Sequence, residues 1–491
     1  MTIPPEQQDV ARFLAGLAGG PPKETHISAV FVGTDTVWKL KKAVRLPFLD
    51  FTTCDAREHF LRRELELNKP AASGIYRDVI GIARGADQAL GFSNDRPIDF
   101  VLRMAPVPGQ DFLDVIASNN GLTAELLDDL GDTVAACHGK LPPVSGRDFA
   151  ATMRDITQGN TRSALAAGLP EPDVASWQTQ ISEAINALVS WMTQRSSAGY
   201  VRRCHGDLHL GNLCLWDGKP VPFDALEFDE ALATIDVGYD LAFLLMDLDQ
   251  RVGRAAANRV MNRYVARTGD AGMMAGLPVF LSQRAVIRAH VLAAMGQECG
   301  AYLAAARRYL APAAAAIIAI GGLQGTGKST LARALAPELG LAPGALIVRS
   351  DEIRKRLFGL HPQQRLQQES YNGAANIATN SALIEQARIV AEAGHTAVVD
   401  ATFLDITMRR DLEAVAGATG VRFLGVWLQA PLALLEQRVA GRTGDASDAT
   451  VAVLRRAAEN DPGAVDWLAV DASDPTPPLA TVRQALLNAL T

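Results

Sequence analysis

The sequence predicts an α+β domain followed by an α/β domain that contains a parallel sheet. Two patterns support this prediction. Up to about residue 310, short strand-like runs come first and long helical stretches follow, which is typical of an α+β arrangement. From residue 317 onward, strand and helix patterns alternate, which indicates βαβ units. At 491 residues the chain is long enough for two or more domains.

The boundary between the two domains is expected near residue 315. An Ala-rich helical run ends near Pro312, and the β-branched run IIAI at 317–320 then enters a glycine turn. The predicted domains are therefore residues 1–314 and 315–491.

Hydrophobic periodicity places the elements of the first domain. The strands follow from alternating apolar residues and the helices from apolar residues at a spacing of 3.6. In chain order they are a helix near 6–18, strands at 27–32 and 36–41, a helix near 56–69, strands at 76–83 and 98–105, helical sequence from 112 to about 199, short strands at 201–204, 213–216 and 220–223, and helical sequence from 236 to 309.

The second domain is predicted from the same patterns, with short β-branched runs between helical ones. Its strands are expected at 317–320, 346–349, 396–399 and 422–428, and its helices at 328–338, 351–358, 365–393, 405–418 and 431–441.

The composition predicts a cytoplasmic protein with neither a nucleic-acid nor a membrane partner. The formal net charge is −7, and residues 317–491 carry 16 basic and 18 acidic side chains, so neither half forms a basic platform. Five scattered cysteines without a C-x-x-C pair indicate reduced thiols. The longest apolar run, 310–320, is too short for a bilayer, which needs about 20 apolar residues. The sequence leaves the oligomeric state open.

A polar loop with the sequence HGDLHLGN, at 205–212, forms the first candidate site. His205, Asp207 and Asn212 fit the pattern H-x-D-x-x-x-x-N. An Asp in this place can accept the proton of an attacking hydroxyl, and an Asn five residues later can reach Mg²⁺ on ATP phosphates. Asp224 follows the run VPF behind a hairpin turn predicted at 216–219, where it would supply a second carboxylate to that metal.

This stretch resembles the aminoglycoside phosphotransferase and choline kinase-like family, whose loop reads HGDxxxxN. The resemblance covers about residues 25–300 and implies a protein kinase-like fold. It further implies that Asp207 is the catalytic base and that Asn212 and Asp224 are magnesium ligands. Gly206 stands where protein kinases carry Arg, which argues against activation-loop phosphorylation as the switch.

The same resemblance implies a lysine on the early sheet that binds the phosphates and a helix glutamate that holds it. Lys39 is favoured for the lysine, with Lys41 as an alternative of the same strand parity. Glu64 is favoured for the glutamate over Glu66. The loop FVGTDT at 31–36 has a single glycine, and the nucleotide of this domain is left open between ATP and GTP.

Further residues near the first site have two interpretations each. His209 either touches substrate or caps its loop. By fold analogy alone, an acidic cleft for cationic aminoglycosides could use Glu227, Asp229 and Glu230, which could equally be surface charges. Cys204 and Cys214 flank the loop in strands, a setting that favours packing over reactivity.

A glycine-rich turn between a predicted strand and a predicted helix forms the second candidate site. It fits the P-loop pattern G-x-x-x-x-G-K-S, in which backbone N–H groups and the helix N-terminus face the phosphates. The lysine would reach the β- and γ-phosphates, and the serine hydroxyl would bind Mg²⁺. The predicted ATP-binding residues are Gly322, Gly325, Gly327, Lys328, Ser329 and Thr330.

Polar residues downstream of the P-loop complete the second candidate site. Asp351 and Arg354 lie three residues apart at a helix start and share one face. Asp400 ends a strand expected beside the P-loop. Arg438 and Arg442 share a helix face, which suits either a lid over the transferred phosphoryl group or a solvated surface.

These motifs resemble the gluconate kinase, polynucleotide kinase and zeta toxin-like group of P-loop kinases over about residues 316–470. The resemblance implies Asp351 as base, Arg354 as acceptor contact and Asp400 as a supporting carboxylate at the metal. It also implies that Arg438 and Arg442 form the lid.

The whole chain thus resembles a bacterial fusion of two kinase domains. Its expected activity is transfer of the γ-phosphoryl group of Mg-ATP, in each domain, to a small hydroxyl-bearing acceptor. Two alternatives stay open. One domain could be a non-catalytic nucleotide-sensing module that regulates the other, or the chain could be a polynucleotide end kinase or an aminoglycoside-modifying enzyme. Acceptor contacts are expected within 145–200 and 355–395.

Overall fold

The structure, a computed structural model, divides into two compact units. It describes residues 2–46, 49–367, 372–441, 447–474, 476 and 478–490. The first unit comprises Met1–Asp129, Lys140–Thr152 and Thr193–Leu244, and the second comprises Leu130–Gly139, Met153–Met192 and Leu245–Thr491. The second unit therefore joins helices of the first predicted domain to the whole of the second. The boundary expected near residue 315 stays a prediction.

The first unit is built around a six-stranded antiparallel sheet. In spatial order its strands are Lys23–Glu24, Ser28–Val32, Val37–Lys41, Asp99–Met104, Tyr76–Arg84 and Leu90–Phe92. Three short pairs accompany it: Arg45–Leu46 with Leu49–Asp50, Leu213–Trp216 with Lys219–Pro222, and Val201–Arg203 with Thr234–Asp236.

The strand Val37–Lys41 places its two lysines on the same face of the sheet. Successive side chains in a strand point to opposite faces. Leu40 packs in the core beneath the helix Gln8–Ala18, so Lys39 and Lys41 lie on the other face, where the helix Cys54–Asn68 packs. This helix is capped by Thr53, whose hydroxyl accepts from the Ala56 N–H at 3.2 Å.

Helices make up most of the rest of the chain up to residue 310. They are Pro5–Gln7, Gly109–Asp111, Leu113–Ser118, Ala124–Lys140, Phe149–Ala166, Glu171–Ala187, Val189–Ser197, Leu210–Asn212, Glu230–Ala233, Val237–Arg251, Arg254–Thr268, Ala271–Ala275, Leu277–Ala294 and Gly300–Tyr309. A short antiparallel sheet followed by helical sequence confirms the predicted α+β class.

The second unit contains a five-stranded, all-parallel sheet, which confirms the predicted α/β fold. In spatial order its strands are Leu346–Arg349, Ala397–Asp400, Ala316–Gly322, Arg422–Gln429 and Leu468–Asp471. The helices after residue 316 are Lys328–Leu335, Ala336–Glu338, Ser350–Leu357, Gly373–Glu392, Ile406–Thr419, Leu432–Ala440, Val451–Ala458 and Leu479–Leu490. The central strand Ala316–Gly322 is buried along its whole length, as expected for a parallel sheet covered on both faces.

The outer strand Leu346–Arg349 is covered within the second unit by the helix Arg254–Thr268. Asn262 accepts from the Ile347 N–H at 2.6 Å, and Asn258 donates to the Ala345 carbonyl at 3.0 Å. Arg254, at the start of this helix, donates to the Gly340 carbonyl at 2.6 Å. Side-chain amides thus satisfy backbone groups at the edge of this strand.

The helix expected at 365–393 is shorter, Gly373–Glu392. Asn372 caps it by accepting from the Ala375 N–H at 2.9 Å. Within the predicted range, the Leu366 N–H donates to the Asp448 carboxylate at 3.0 Å, a bond to a residue distant in sequence. Residues 368–371 lie outside the described residues.

Among the helices of the described ranges, none has the length and apolar character needed to cross a membrane.

Candidate active sites

Three predicted residues of the first site form one ion-pair chain. The Lys39 ammonium lies 2.7 Å from a Glu64 carboxylate oxygen and 2.6 Å from an Asp224 carboxylate oxygen. The strand supplies the lysine, the helix Cys54–Asn68 the glutamate, and the loop after Lys219–Pro222 the aspartate. Glu64 is fully buried, whereas Asp224 is 43% exposed.

Electrostatics keep Lys39 and Asp224 ionised. Burial alone lowers the pKa of Lys39, but the Asp224 and Glu64 carboxylates outweigh it and hold that pKa well above its usual value. Burial raises the pKa of Asp224, and the stronger attraction of Lys39 brings that pKa below its usual value. Lys39 is therefore an ammonium and Asp224 a carboxylate at neutral pH.

Lys41, the alternative lysine, lies deeper than Lys39. Its ammonium is 3.0 Å from the second Glu64 oxygen and also contacts Glu227, and its side chain is fully buried. Lys39 keeps 12% exposure and alone reaches Asp224 in the described ion pairs. Glu66 lies on the outer face of its helix, 69% exposed, and pairs with Arg63.

The predicted catalytic loop holds Asp207 and Asn212 together. The Asn212 amide donates to the Asp207 carboxylate at 2.8 Å and to the Asp207 carbonyl at 2.9 Å. His205 joins this loop to the loop that carries Asp224: its Nε2 donates to the Phe223 carbonyl at 2.9 Å, and its Nδ1 accepts from the Asp207 N–H at 3.3 Å. Burial lowers the pKa of His205, consistent with a neutral ring that donates from one nitrogen and accepts on the other.

Gly206 is required by the local backbone. Its φ is +86°, and a Cβ there would lie 3.0 Å from the Leu226 Cβ. Asp240, fully buried, accepts from the Gly206 N–H at 2.8 Å and from the His205 N–H at 3.2 Å. A side chain at position 206 would therefore strain the loop that presents Asp207.

Asp224 has a left-handed backbone, which is uncommon outside glycine. Its φ is +60°. The Asp224 N–H donates to the Tyr76 hydroxyl at 3.0 Å, and the next N–H, of Ala225, donates to the Asn68 side chain at 2.9 Å. These two bonds hold the strained residue in place, a pattern that clusters at functional sites.

The residues with two interpretations make the following contacts. His209 accepts from the Gly211 N–H at 3.1 Å, as a capping residue does, and its Nε2 lies 3.5 Å from the Asp207 carboxylate, so a contact with substrate stays a prediction. Asp229 caps the short helix Glu230–Ala233, and Glu230 pairs with Arg63. Cys204 and Cys214 are buried, and burial raises the pKa of Cys214 to about 12, so packing is the role that fits both thiols.

Glu227 does not share an acidic surface with Asp229 and Glu230. Glu227 is 6% exposed and bound to Lys41 inside the first site. The sequence contained a weak signal for this: Glu227 lies between apolar neighbours in DALEF. Asp240, within VGYDLAFLLM, carries the same signal, since an acid in an apolar run must find a buried partner.

The glycine-rich loop of the second site leads from the central strand into a helix. Gly327, at φ +88°, precedes the helix Lys328–Leu335. The Lys328 ammonium folds over the loop and donates to the carbonyls of Gly322 at 3.0 Å and Leu323 at 2.9 Å. Gly322 has a φ of +129°, and a Cβ on it would overlap the Leu428 carbonyl oxygen of the neighbouring strand. Gly325 has a φ of +87°, and Thr330 lies exposed in the first helical turn.

Ser329 and Asp400 meet at the carboxyl end of the parallel sheet. The Ser329 hydroxyl donates to an Asp400 carboxylate oxygen at 2.6 Å. Arg349, from the neighbouring strand, lies 3.3 Å from the same oxygen. Parallel strands bring their carboxyl ends to one edge, which is why residues so distant in sequence converge here.

The remaining predicted residues of the second site differ in how the structure places them. Asp351 and Arg354 occupy the helix Ser350–Leu357, and burial raises the pKa of Asp351 above its usual value. Arg438 donates to the backbone carbonyls of Ala472 at 2.7 Å and Ser473 at 2.8 Å. Arg442 lies outside the described residues.

Two family models match separate parts of the chain. The model of the phosphotransferase enzyme family matches residues 60–275, and that of an AAA domain matches residues 317–460. The chain joins a phosphotransferase-family domain to an AAA domain of P-loop fold. This confirms the predicted two-domain fusion. The first match supports phosphoryl transfer as its chemistry.

Curated relatives match this chain over most of their length. Uncharacterized proteins of Mycobacterium tuberculosis and Mycobacterium bovis are 27% identical over 450 residues, which are 88% of this chain and 88% of theirs.

Solved structures resemble separate parts of the chain. A gluconokinase from Sinorhizobium meliloti shares 25% identity, with a TM-score of 0.24 over 37% of this chain and 94% of its own. The aminoglycoside phosphotransferase APH(3'')-Id from Streptomyces rimosus shares 22%, with a TM-score of 0.34 over 56% and 98%. Choline kinase from Cryptosporidium parvum shares 10%, with a TM-score of 0.39 over 59% and 86%.

Proposed function

We propose that the chain is a kinase with two sites, each of which transfers the γ-phosphoryl group of Mg-ATP to a hydroxyl of a small molecule. The observation that carries the proposal is the Lys39 ammonium held between Glu64 and Asp224 at 2.7 and 2.6 Å. A phosphate-binding cation, the carboxylate that fixes it and a carboxylate for the metal are the parts that phosphoryl transfer needs.

The donor atoms of the first site suit magnesium, which prefers oxygen ligands. Asp224 offers a half-exposed carboxylate, and the Asn212 amide nitrogen donates to Asp207, so its carbonyl oxygen remains to bind a metal. Asp224 and Asn212 would hold the ion, which would neutralise phosphate charge. In the nucleotide complex Lys39 would exchange its Asp224 contact for the phosphates while keeping Glu64.

Asp207 would take the proton of the acceptor hydroxyl. Its carboxylate is 41% exposed, so an acceptor can reach it, and Asn212 fixes its orientation. Proton transfer in the transition state contributes about 10²–10⁴-fold to rate.

The second site would bind the nucleotide phosphates mainly through its backbone. The N–H groups of residues 322–330 would bind the phosphates together with Lys328, while Ser329 and Asp400 would hold Mg²⁺ through oxygen atoms already 2.6 Å apart. Asp351 would be the base, because its raised pKa brings it closer to neutral pH. Arg354 would contact the acceptor, and Arg438 with Arg442 would act as the lid.

A metabolite screen tests this proposal. Small-molecule extract and Mg-ATP are incubated with the wild type, Asp207→Ala or Lys328→Ala, and products are identified by mass spectrometry. A phosphorylated product lost only in Asp207→Ala assigns an acceptor to the first site, and one lost only in Lys328→Ala assigns one to the second. Parallel titrations with Mg-ATP and Mg-GTP decide the nucleotide of the first site.

Other outcomes would favour the alternatives. Binding of Mg-ATP without any product would favour a nucleotide-sensing module. Phosphorylation of oligonucleotide ends, with steep salt dependence of binding, would favour a polynucleotide end kinase.

A further inference from the structure

A second ion pair lies behind the Lys39–Glu64 pair of the first site. Glu64 divides its two carboxylate oxygens: one is 2.7 Å from the Lys39 ammonium and the other 3.0 Å from that of Lys41. Lys41 in turn contacts Glu227. Lys41 and Glu64 are fully buried, and Glu227 is 6% exposed. We call Lys39, Lys41, Glu64 and Glu227 the lysine–glutamate cluster.

The lysine–glutamate cluster ties together three elements that must be aligned for phosphoryl transfer. The strand Val37–Lys41 supplies both lysines, and the helix Cys54–Asn68 supplies Glu64. Glu227 comes from the loop that carries Asp224, three residues earlier. The cluster therefore connects the phosphate-binding strand, the helix and the metal-binding loop through charges that are out of contact with bulk water.

The charge balance indicates what Glu227 does. The Lys41 ammonium lies 3.0 Å from a Glu64 oxygen, and it therefore competes with Lys39 for the same carboxylate. Glu227 neutralises Lys41 from the other side, so Glu64 can serve both lysines at once. Burial lowers the pKa of Lys41, but Glu64 and Glu227 outweigh it and raise that pKa above its usual value, so the ammonium is retained.

Stability alone is a weak reason for such an arrangement. Removing two charges from water is costly, and well-packed apolar residues of similar size often serve equally well. The Lys41 ammonium lies over the Phe51 ring, 5.2 Å from the ring centroid.

We propose that Lys41 and Glu227 are positioning residues: Glu227 holds Lys41 so that Glu64 stays on Lys39, and thereby sets the affinity of the first site for Mg-nucleotide. This proposal rests on the proposed kinase function of that site. Neither residue is expected to touch nucleotide.

The test measures Mg-nucleotide affinity in full-length protein that carries Lys328→Ala, so that the second site does not contribute. In this background Glu227→Gln removes the charge while keeping size, and we expect the dissociation constant to rise about tenfold because Lys41 draws Glu64 away from Lys39. The double variant Lys41→Met/Glu227→Gln removes the competitor as well, and we expect affinity within about threefold of the starting protein.

A matched control comes from another buried ion pair of the first unit. Arg57 lies 2.8 Å from Asp99, with both side chains at most 6% exposed. Asp99→Asn should destabilise the protein comparably, as followed by thermal unfolding, but leave nucleotide affinity within about twofold at a temperature where the protein stays folded. A merely structural role for Glu227 would make the two variants behave alike.

The outcomes separate this proposal from the one beneath it. Unchanged affinity in Glu227→Gln, or the absence of rescue in the double variant, overturns the positioning role while leaving the kinase site intact. If the Lys328→Ala protein binds no Mg-nucleotide, or if Lys39→Met leaves its binding unchanged, the proposed function of the first site itself fails, and the positioning role fails with it.

Discussion

The two candidate sites present their proposed phosphate- and metal-binding groups in opposite ways. The first uses side chains that are distant in sequence, since Lys39 and Asp224 are separated by 185 positions. The second uses the backbone of one continuous loop, whose glycines at positions 322, 325 and 327 all have positive φ. The first site should therefore be sensitive to the loss of a charge, and the second to the gain of a side chain.

The largest expected effect is loss of turnover at the first site in Asp207→Asn. Asn can still accept the hydrogen bond from Asn212 but cannot take a proton, so turnover should fall about 10²–10⁴-fold while Mg-nucleotide affinity holds. The measurement is product formation with the acceptor found for that site. Asp229→Asn is the matched control, because Asn caps a helix as well as Asp does. Full turnover in Asp207→Asn would contradict the assignment.

Removal of the buried charge of Glu64 should also be severe. Glu64→Gln leaves two lysines facing a neutral side chain, and we expect the free energy of unfolding to fall by about 3 kcal/mol together with nucleotide affinity at the first site. Glu66→Gln, on the same helix but at the surface, should change stability by less than about 0.5 kcal/mol. Denaturant unfolding compares the two, and equal effects would remove the distinction between them.

In the second site, the effect of an added methyl group on stability should depend on which glycine of the loop receives it. Gly322→Ala forces a Cβ against the Leu428 carbonyl at a φ of +129°, with an expected cost of about 2–3 kcal/mol. Gly327→Ala has open space around its Cβ and should cost only about 1 kcal/mol for its left-handed φ. Denaturant unfolding and nucleotide titration of the two variants check the order; a larger effect for Gly327→Ala would contradict it.

The smallest expected effect is a loss of stability in mild acid, which should come from the second unit. Burial lowers the pKa of His395, in the second unit, to about 4. An unfolded histidine titrates near 6.5, so below that pH the unfolded chain binds a proton that the native protein rejects until about pH 4. Stability should be complete above pH 6.5 and fall by about 1 kcal/mol between pH 6.5 and 5.5.

Thermal unfolding at several pH values tests this response. His395→Leu, which cannot be protonated, should flatten the fall in stability over that interval. By contrast, the lowered pKa of Asp224 keeps its pair with Lys39 ionised throughout the same range. An unchanged pH dependence in His395→Leu would show that other groups control it.

The sequence predicted best what is encoded locally. The HGDLHLGN loop, the hairpin before Asp224 and the P-loop are each contained in a short segment, and the structure has them in their expected elements. Lys39 and Glu64 were expected from the family resemblance, and strand parity could not separate Lys39 from Lys41, which lies on the same face and also contacts Glu64.

What the sequence could not predict depends on distant partners. The Lys41–Glu227 pair spans 186 positions, and the sequence around either residue does not indicate its partner. The helix expected from residue 365 begins at Gly373, and the Leu366 N–H donates to the distant Asp448 carboxylate at 3.0 Å. The contacts of Arg438 with carbonyls more than thirty residues away could not be predicted either, and its role in a lid stays a prediction.

The helix Arg254–Thr268 has a consequence for dissecting this protein. Strand edges with unpaired N–H and C=O groups are templates for association between chains. A fragment beginning at residue 315 would keep the P-loop but lose Asn258 and Asn262, which bond to Ala345 and Ile347 at the outer strand. Such a fragment would expose the edge of its outer strand, which could then pair with the same edge of another copy. A truncated protein made to study the second site should therefore begin before Arg254. If a shorter fragment were insoluble, that result would not test its catalytic activity.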